Sequence, residues 1–382
     1  MSFIRLLLVS ALFHGYVAWR LLPALSDVPV ALALLGAALL ASMLMMPMGL
    51  LARRVRSQPL SDRLAWAGLL FMGLFSSLLV LTLLRDVGLL VAFVVRFAFP
   101  GALPWAEIGV WTACAVPPLA LLMTLWGLLN ARRTAAVVRV EVPIRGLPDG
   151  LHGFSIAQIS DIHVGPTIKR DYVASIVTAV NRLGADMVAV TGDLVDGSVA
   201  DLAIHVAPLA ELSSRHGTYF VTGNHEYYSG ADAWVAGLRR LGLQVLMNEH
   251  VLLRHDESLL LLAGVADHGA HHFDASHRSD PQAAMAGAPA HAGVRVLLAH
   301  QPRSADAAAR AGFDLQLSGH THGGQFWPWN FLVRLQQPFT AGLHRWQELW
   351  VYTSRGTGYW GPPKRFGAPS EITHLRLVRD AA

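Results

Sequence analysis

Residues 64–84 run without a single charged side chain. About 20 apolar residues cross the hydrocarbon core of a bilayer as a helix, and a lone lipid-exposed segment satisfies its backbone polar groups only in that form. Residues 28–51 and 108–129 have the same character, and residues 6–19 form a shorter run that carries His14. A secretory leader is the rival reading of that first run, since Arg5 precedes it. No small-residue cleavage site follows, so an anchor is the better account. Residues 87–99, interrupted by Arg96, read as an interfacial helix or as an extension of the 64–84 span. The composition agrees: 53% of the chain is apolar and 15% charged, against about a quarter charged in soluble domains. These runs are apolar all round rather than striped, which a buried helical bundle of a soluble protein would not require.

The expectation is an all-α transmembrane region of about four helices over residues 1–133. Arg53, Arg54, Arg56 and Arg63 crowd the second connection, and Arg132, Arg133 and Arg139 follow the last span. The other side holds Arg20, Arg85 and Arg96. By the positive-inside rule the protein is multi-pass in the inner (cytoplasmic) membrane, with everything after Asn130 on the cytoplasmic side. The net charge of +4 comes from scattered arginines rather than basic blocks, so nucleic-acid binding is not expected. A single cysteine, Cys114, excludes disulfides and thiolate-based zinc sites.

From residue 134 to 382 the pattern changes to an α/β domain. Val138, Val140 and Val142 alternate with Arg139 and Glu141, the period of a half-buried strand. Strands and helices then alternate, with a helix expected at 202–212, a hairpin around Asp256-Glu257 and a loop at 280–293. Five strand-like runs end in metal-binding residue types: Asp161 and His163; Asp193; Asn224 and His225; His300; and His320 and His322. Open α/β folds place their sites at such strand ends. Carboxylate and imidazole donors without thiolate suit Mn, Fe or Zn. The donors are too many for one ion, which points to two divalent metal ions with one carboxylate between them. Among the donors only Asp161 and Asp193 are anionic, so a two-ion site stays net positive and suits a phosphorylated substrate. A water shared by two such ions becomes hydroxide near neutral pH and supplies an in-line nucleophile.

Asp161-x-His163, Gly192-Asp193-x-x-Asp196, Gly223-Asn224-His225-Glu226, a lone His300 and Gly319-His320-x-His322 together resemble the signature of the calcineurin-like metallophosphoesterases. The surrounding words, residues 160–167 and 319–325, are similar to those of a bacterial membrane-associated branch containing YkuE-like phosphohydrolases. The resemblance implies an αββα two-sheet sandwich and a metal-dependent phosphoester hydrolase. It also implies roles. Asp161, His163 and His322 hold one metal with Asp193, which bridges to a second metal held by Asn224, His300 and His320. His225 stabilises the phosphoryl oxygens or protonates the leaving group. Asp196 and Glu226 orient imidazoles or hold loops. Relatives of that branch make a lipid-linked pyrophosphate such as UDP-diacylglucosamine one expected substrate. Soluble nucleotides or phosphoproteins are the alternative, and a membrane scaffold that binds phosphate without turnover is the alternative of another class.

His268, His271, His272 and His277 lie in one loop with Asp267 and Asp274, and a solvated loop is favoured there over a further metal site. Of this group Asp267-His268, which follows a strand, is the best placed to approach the site. Residues 326–335 and 358–363 are rich in aromatics, with Arg334 among them. They suit either core packing or a role at a membrane interface or in a pocket for acyl chains.

Overall fold

The computed structural model describes residues 2–55, 57–101, 103–289 and 291–380; Arg56 of the Arg-rich connection lies outside them. The chain divides into two compact units, one containing the residues up to Leu129 together with Gly361–Phe366, the other containing the rest.

The first unit is built on helices α1 (Phe3–Leu21), α2 (Pro29–Leu50), α3 (Gln58–Ala98) and the greater part of α4 (Trp105–Arg132). All four are long and apolar enough to cross a membrane. The stretch containing Arg96 continues α3 to a length of 41 residues, roughly 60 Å at about 1.5 Å per residue, twice the ~30 Å hydrocarbon core. Glycines let α2 and α3 cross backbone to backbone. A Cβ at Gly49 would meet the Gly68 Cα at 2.6 Å, and one at Gly68 would meet the Gly49 Cα at 2.5 Å. Several polar side chains inside the bundle are paired with one another. His14 stacks on Phe75 with ring centroids 3.7 Å apart and hydrogen-bonds Ser42 at 2.9 Å. Arg20 Nε donates to Asp86 at 2.8 Å, and the Tyr16 hydroxyl donates to the same carboxylate at 2.6 Å.

The hexapeptide Gly361–Phe366 is threaded into this helical unit. Lys364 is buried, and its Nζ donates to the Gly73 carbonyl at 2.9 Å and to the hydroxyls of Ser77 and Thr124. The Arg365 N–H donates to the Gly127 carbonyl at 2.8 Å. A Cβ at Gly127 would meet Lys364 Cγ at 2.6 Å, so glycine there makes room for the lysine stem.

The second unit holds two six-stranded sheets. The order of the first is β1 (Ala136–Ile144), β12 (Glu371–Arg379), β2 (Ser155–Ile159), β3 (Met187–Val190), β4 (Thr218–Phe220) and β5 (Gln244–Val245). The order of the second is β10 (Gly342–Trp346), β11 (Leu349–Thr353), β9 (Leu315–Ser318), β8 (Val294–Leu298), β7 (Ser258–Gly264) and β6 (Glu249–His255). Strand alternation sorts the side chains into layers. Met187 and Ala189 enter the core between the sheets with Ile156, Tyr219, Leu260 and Val296. Val188 and Val190 face the other way. There they join a cluster with Val173 and Ile176 of α5 (Arg170–Asn181), Leu202 of α6 (Val199–Val206) and Trp234 of a later helix. Helices Pro281–Ala284 and Ala305–Arg310 pack Ala284, Ala305 and Ala308 against the outer face of the second sheet. The result is the expected two-sheet α/β sandwich.

Two local expectations need correcting. The helix expected at 202–212 ends at Val206 and tightens into a 3-10 turn over Ala207–Glu211, because Pro208 offers no N–H to continue it. The loop expected at 280–293 contains a short helix, started by Asp280 accepting from the N–H groups of Gln282 and Ala283.

Strands β2, β3 and β4 run parallel, as do β8 and β9. Their carboxyl ends therefore gather each acid and imidazole of the sequence pattern.

Candidate metal centre

Each strand end turns sharply at the site. Asp161, His163, Asp193, His320 and His322 all have φ between 51° and 70°. Nine described residues other than glycine lie at positive φ, and five of them are these. A left-handed conformation is unfavourable for such residues and persists only where the surroundings enforce it. Here the turns swing successive side chains toward one point. Gly192 has φ 84°, and a Cβ on it would meet both the Gly223 N and the His300 Nδ1 at 2.7 Å. A Cβ at Gly319 would lie 2.2 Å from Asp161 Oδ2.

Three groups of donors converge: Asp161, His163 and His322; His163, Asp193 and His225; Asp193, His300 and His320. Asp193 belongs to two of them and lies between the others. Its Oδ2 is 3.9 Å from His163 Nε2, 4.0 Å from His225 Nε2 and 3.2 Å from His300 Nε2. The His163 and His322 Nε2 atoms are 3.0 Å apart, and His320 Nδ1 is 3.2 Å from His300 Nε2.

The far side of each ring decides which nitrogen faces this point. His300 Nδ1 is 2.7 Å from the Thr191 carbonyl, which can only accept, so Nδ1 carries the proton. Its Nε2 faces Asp193 and His320; burial opposes a charge on the ring, but Asp193 carries it well above its ordinary value, so a positive charge, a proton or a metal ion, belongs between these groups. Asp196 does the same for two rings. Its Oδ1 accepts from His163 Nδ1 at 3.3 Å and from His225 Nδ1. Both Nε2 atoms are thereby turned toward Asp193.

Helix α7 (Asn224–Ser229) starts at the end of β4, ahead of α8 (Ala231–Arg240), which carries Trp234. At its first position the Asn224 Oδ1 is buried and has no hydrogen-bond partner. A buried amide oxygen of this kind is costly unless something electropositive faces it. Burial and then the neighbouring charge of His300 push the His320 imidazole down to about 3, which keeps the ring neutral with one nitrogen lone pair available to a metal ion. Burial pushes Asp193 up, but His300, His225 and His163 outweigh it and hold the carboxyl well below its ordinary value. Burial lowers His225, while its bond to Asp196 and the charge of Asp193 carry the imidazole above its ordinary value. The donor set therefore fits divalent cations.

Glu226 has a separate task. Its carboxylate accepts from the backbone N–H groups of Gly223, Asp193, Leu194 and Val195 at 2.6, 3.0, 2.7 and 3.3 Å. It ties the turn after β3 to the start of α7. Asp267 is buried and accepts from Gln301 Nε2 at 3.0 Å, next in sequence to His300. Among the described residues, no group of three potential metal ligands includes His268, His271, His272 or His277. In the aromatic stretch Phe326 is buried, whereas Trp329, Phe331, Leu332 and Leu335 are exposed. The Thr191 carbonyl, which settles the His300 tautomer, is a backbone group and leaves no trace in the sequence. Tyr228 and Trp360, which flank His225, carried only the weak signal of adjacency to other motifs.

The sequence model of the family described as "Calcineurin-like phosphoesterase" matches residues 154–324. The chain is 44% identical over 278 residues to a "Transmembrane protein with metallophosphoesterase domain" of Bos taurus, which covers 68% of this chain and 62% of that protein. An uncharacterized metallophosphoesterase of Aquifex aeolicus is 32% identical over 246 residues, 63% of this chain and 91% of its own. The uncharacterized metallophosphoesterase YkuE of Bacillus subtilis is 28% identical over 250 residues, 60% and 81% of the two chains. The chain thus spans less than two thirds of the length of the bovine relative.

Proposed function

The chain belongs to the calcineurin-like metallophosphoesterase family, and on that premise we propose that it is a membrane-anchored hydrolase of phosphoester or pyrophosphate bonds. In this reading residues 1–133 form the anchor and residues 134–382 the catalytic domain. Asp161, His163 and His322 would hold one divalent ion, Asn224, His300 and His320 a second, and Asp193 would serve both. When bound, two divalent ions supply the Lewis acidity that activates water and withdraws charge from the phosphoryl oxygens. His225 contributes from its own side. Its Nδ1 is committed to Asp196, so Nε2 is free to hold a phosphoryl oxygen or to hand a proton to the departing one.

The observation that carries this reading is the set of imidazoles whose outer nitrogens are already spoken for, all turned toward Asp193. A phosphate sensor without turnover has no need of a proton-bearing His225. Within the family we place the chain in the membrane-associated branch that includes YkuE. The words at 160–167 and 319–325 support that placement. We further propose a multi-pass arrangement in the inner membrane with the catalytic domain on the cytoplasmic side, on the arginine distribution. Tethering to a bilayer favours a lipid-linked substrate over a soluble one.

The test is turnover by the Mn²⁺-reconstituted full chain in detergent micelles against an aryl phosphomonoester, an aryl phosphodiester and a nucleoside-diphosphate-linked diacyl sugar. Asp193→Asn should abolish hydrolysis of all three. Undiminished turnover by that variant would refute the assignment of the site.

A further inference from the structure

The solvent side of His225 is walled by aromatic rings. Tyr228, three residues along α7, meets it edge-on at 5.2 Å between centroids and 69° between planes. Trp360 meets it at 5.6 Å and 74°. Phe273 extends the row, 5.6 Å from Tyr228 and 5.7 Å from Tyr227. All three wall residues are more than half exposed: Tyr228 63%, Trp360 54% and Phe273 56%. Single exposed apolar residues need no explanation, but two rings on one imidazole, with a third packed on one of them, form a surface that awaits a partner.

The backbone that carries Trp360 and the neighbour of Tyr228 are also held in place. The Gln325 side chain grips both backbone groups of Trp360, donating from Nε2 to its carbonyl at 2.7 Å and accepting its N–H at 2.8 Å. The Tyr227 hydroxyl, at the foot of the row, hydrogen-bonds His277 at 3.2 Å. A rigid ring costs little to immobilise when a ligand lands on it.

Their position says which part of a substrate they meet. The phosphoryl group must lie over Asp193, where the donors converge. His225 stands between that point and the rings, so what lies beyond it is the leaving group. An acyl chain would be expected to meet aliphatic side chains. This wall instead offers π faces, together with the Tyr228 hydroxyl and the Trp360 indole N–H, the surface on which flat heterocycles stack. We propose that Tyr228, Trp360 and Phe273 form a subsite for a nucleobase carried on the leaving group. The substrate is then a phosphodiester or pyrophosphate with a nucleoside on the departing side. Water adds its oxygen to phosphorus, the bond from phosphorus to the nucleoside-bearing oxygen breaks, and that oxygen leaves with a proton. This inference rests on the phosphohydrolase reading and names the substrate class for the same site.

The test compares AMP, ribose 5-phosphate and decyl phosphate as inhibitors of aryl phosphodiester hydrolysis by the Mn²⁺-loaded full chain in detergent. The same three ligands are titrated calorimetrically, so the subsite is read even if no turnover occurs. Wild type should bind AMP at least about tenfold more tightly than ribose 5-phosphate, since stacking one base on an aromatic platform is worth roughly that much. Combining Tyr228→Ala with Trp360→Ala should bring the ratio close to one, whereas Trp360→Phe, which keeps a ring, should preserve most of it. Equal affinities in wild type, a ratio unmoved by the double variant, or preference for decyl phosphate would each overturn the nucleobase subsite. Calorimetric AMP selectivity without any hydrolysis would instead sink the phosphohydrolase reading and leave the subsite standing.

Discussion

The Asp196 carboxylate accepts the Nδ1 proton of His225, and this bond determines that the free nitrogen of the imidazole faces Asp193. Asp196 holds His163 in the same way, so one side chain orients two rings, one proposed as a metal ligand and the other as the proton donor. Asp196→Asn keeps the size but can present an N–H where an acceptor is needed. It should lower kcat by about 10- to 100-fold, and metal content measured on the same sample separates misoriented His163 from misoriented His225.

His225→Ala removes the proton-bearing ring without touching the donors grouped around Asp161 or His300. Turnover should fall by about two to four orders of magnitude with two metal equivalents retained by elemental analysis. A loss of metal would make His225 a ligand.

Glu226→Ala should act on stability before chemistry. Four buried backbone N–H groups converge on that carboxylate, and an unsatisfied buried donor costs about 1–3 kcal/mol. The variant should be destabilised by at least about 3 kcal/mol and lose metal together with its fold, seen as a lower Tm of the apo and metal-loaded protein alike.

At the other end of β4 a histidine pair makes the domain acid-sensitive. His216 Nε2 lies 3.0 Å from His255 Nδ1, and both rings flank Phe154. A bond between two imidazoles needs one lone pair, so double protonation breaks it. Burial, then His255 and Arg215, lowers His216 below its ordinary 6.5. The unfolded chain therefore takes up the proton first, and the contribution of this pair to stability should be level above about pH 7 and decline as the pH falls through about 6.5. His216→Gln should flatten that decline in thermal scans across the same range.

Much of the centre was legible because its donors sit at strand ends, where an apolar run breaks into Gly-Asp or Gly-Asn-His. The two-sheet sandwich follows from Val188 and Val190 facing one layer while Met187 and Ala189 face another, a pattern visible only as a continuous apolar run in the sequence. Other features depend on distant partners. Phe273 and Trp360 lie far apart in sequence and join one wall only through the short helix that carries His225 and Tyr228. Nothing in the sequence around Lys364 announces that the helical unit supplies oxygens for its ammonium group.

That hexapeptide limits how the protein can be cut. Cleaving the chain near residue 133 does not release a self-contained domain: Gly361–Phe366 belongs to the helical unit, and the excised piece would carry a segment torn from its seat. Lys364 would lose the oxygens of Gly73, Ser77 and Thr124 at one stroke. The segment begins directly after Trp360, the ring beside His225. Enzymology on a truncated form would therefore describe a protein whose active-site rim is followed by an unmoored loop, and the intact chain is the proper subject of measurement.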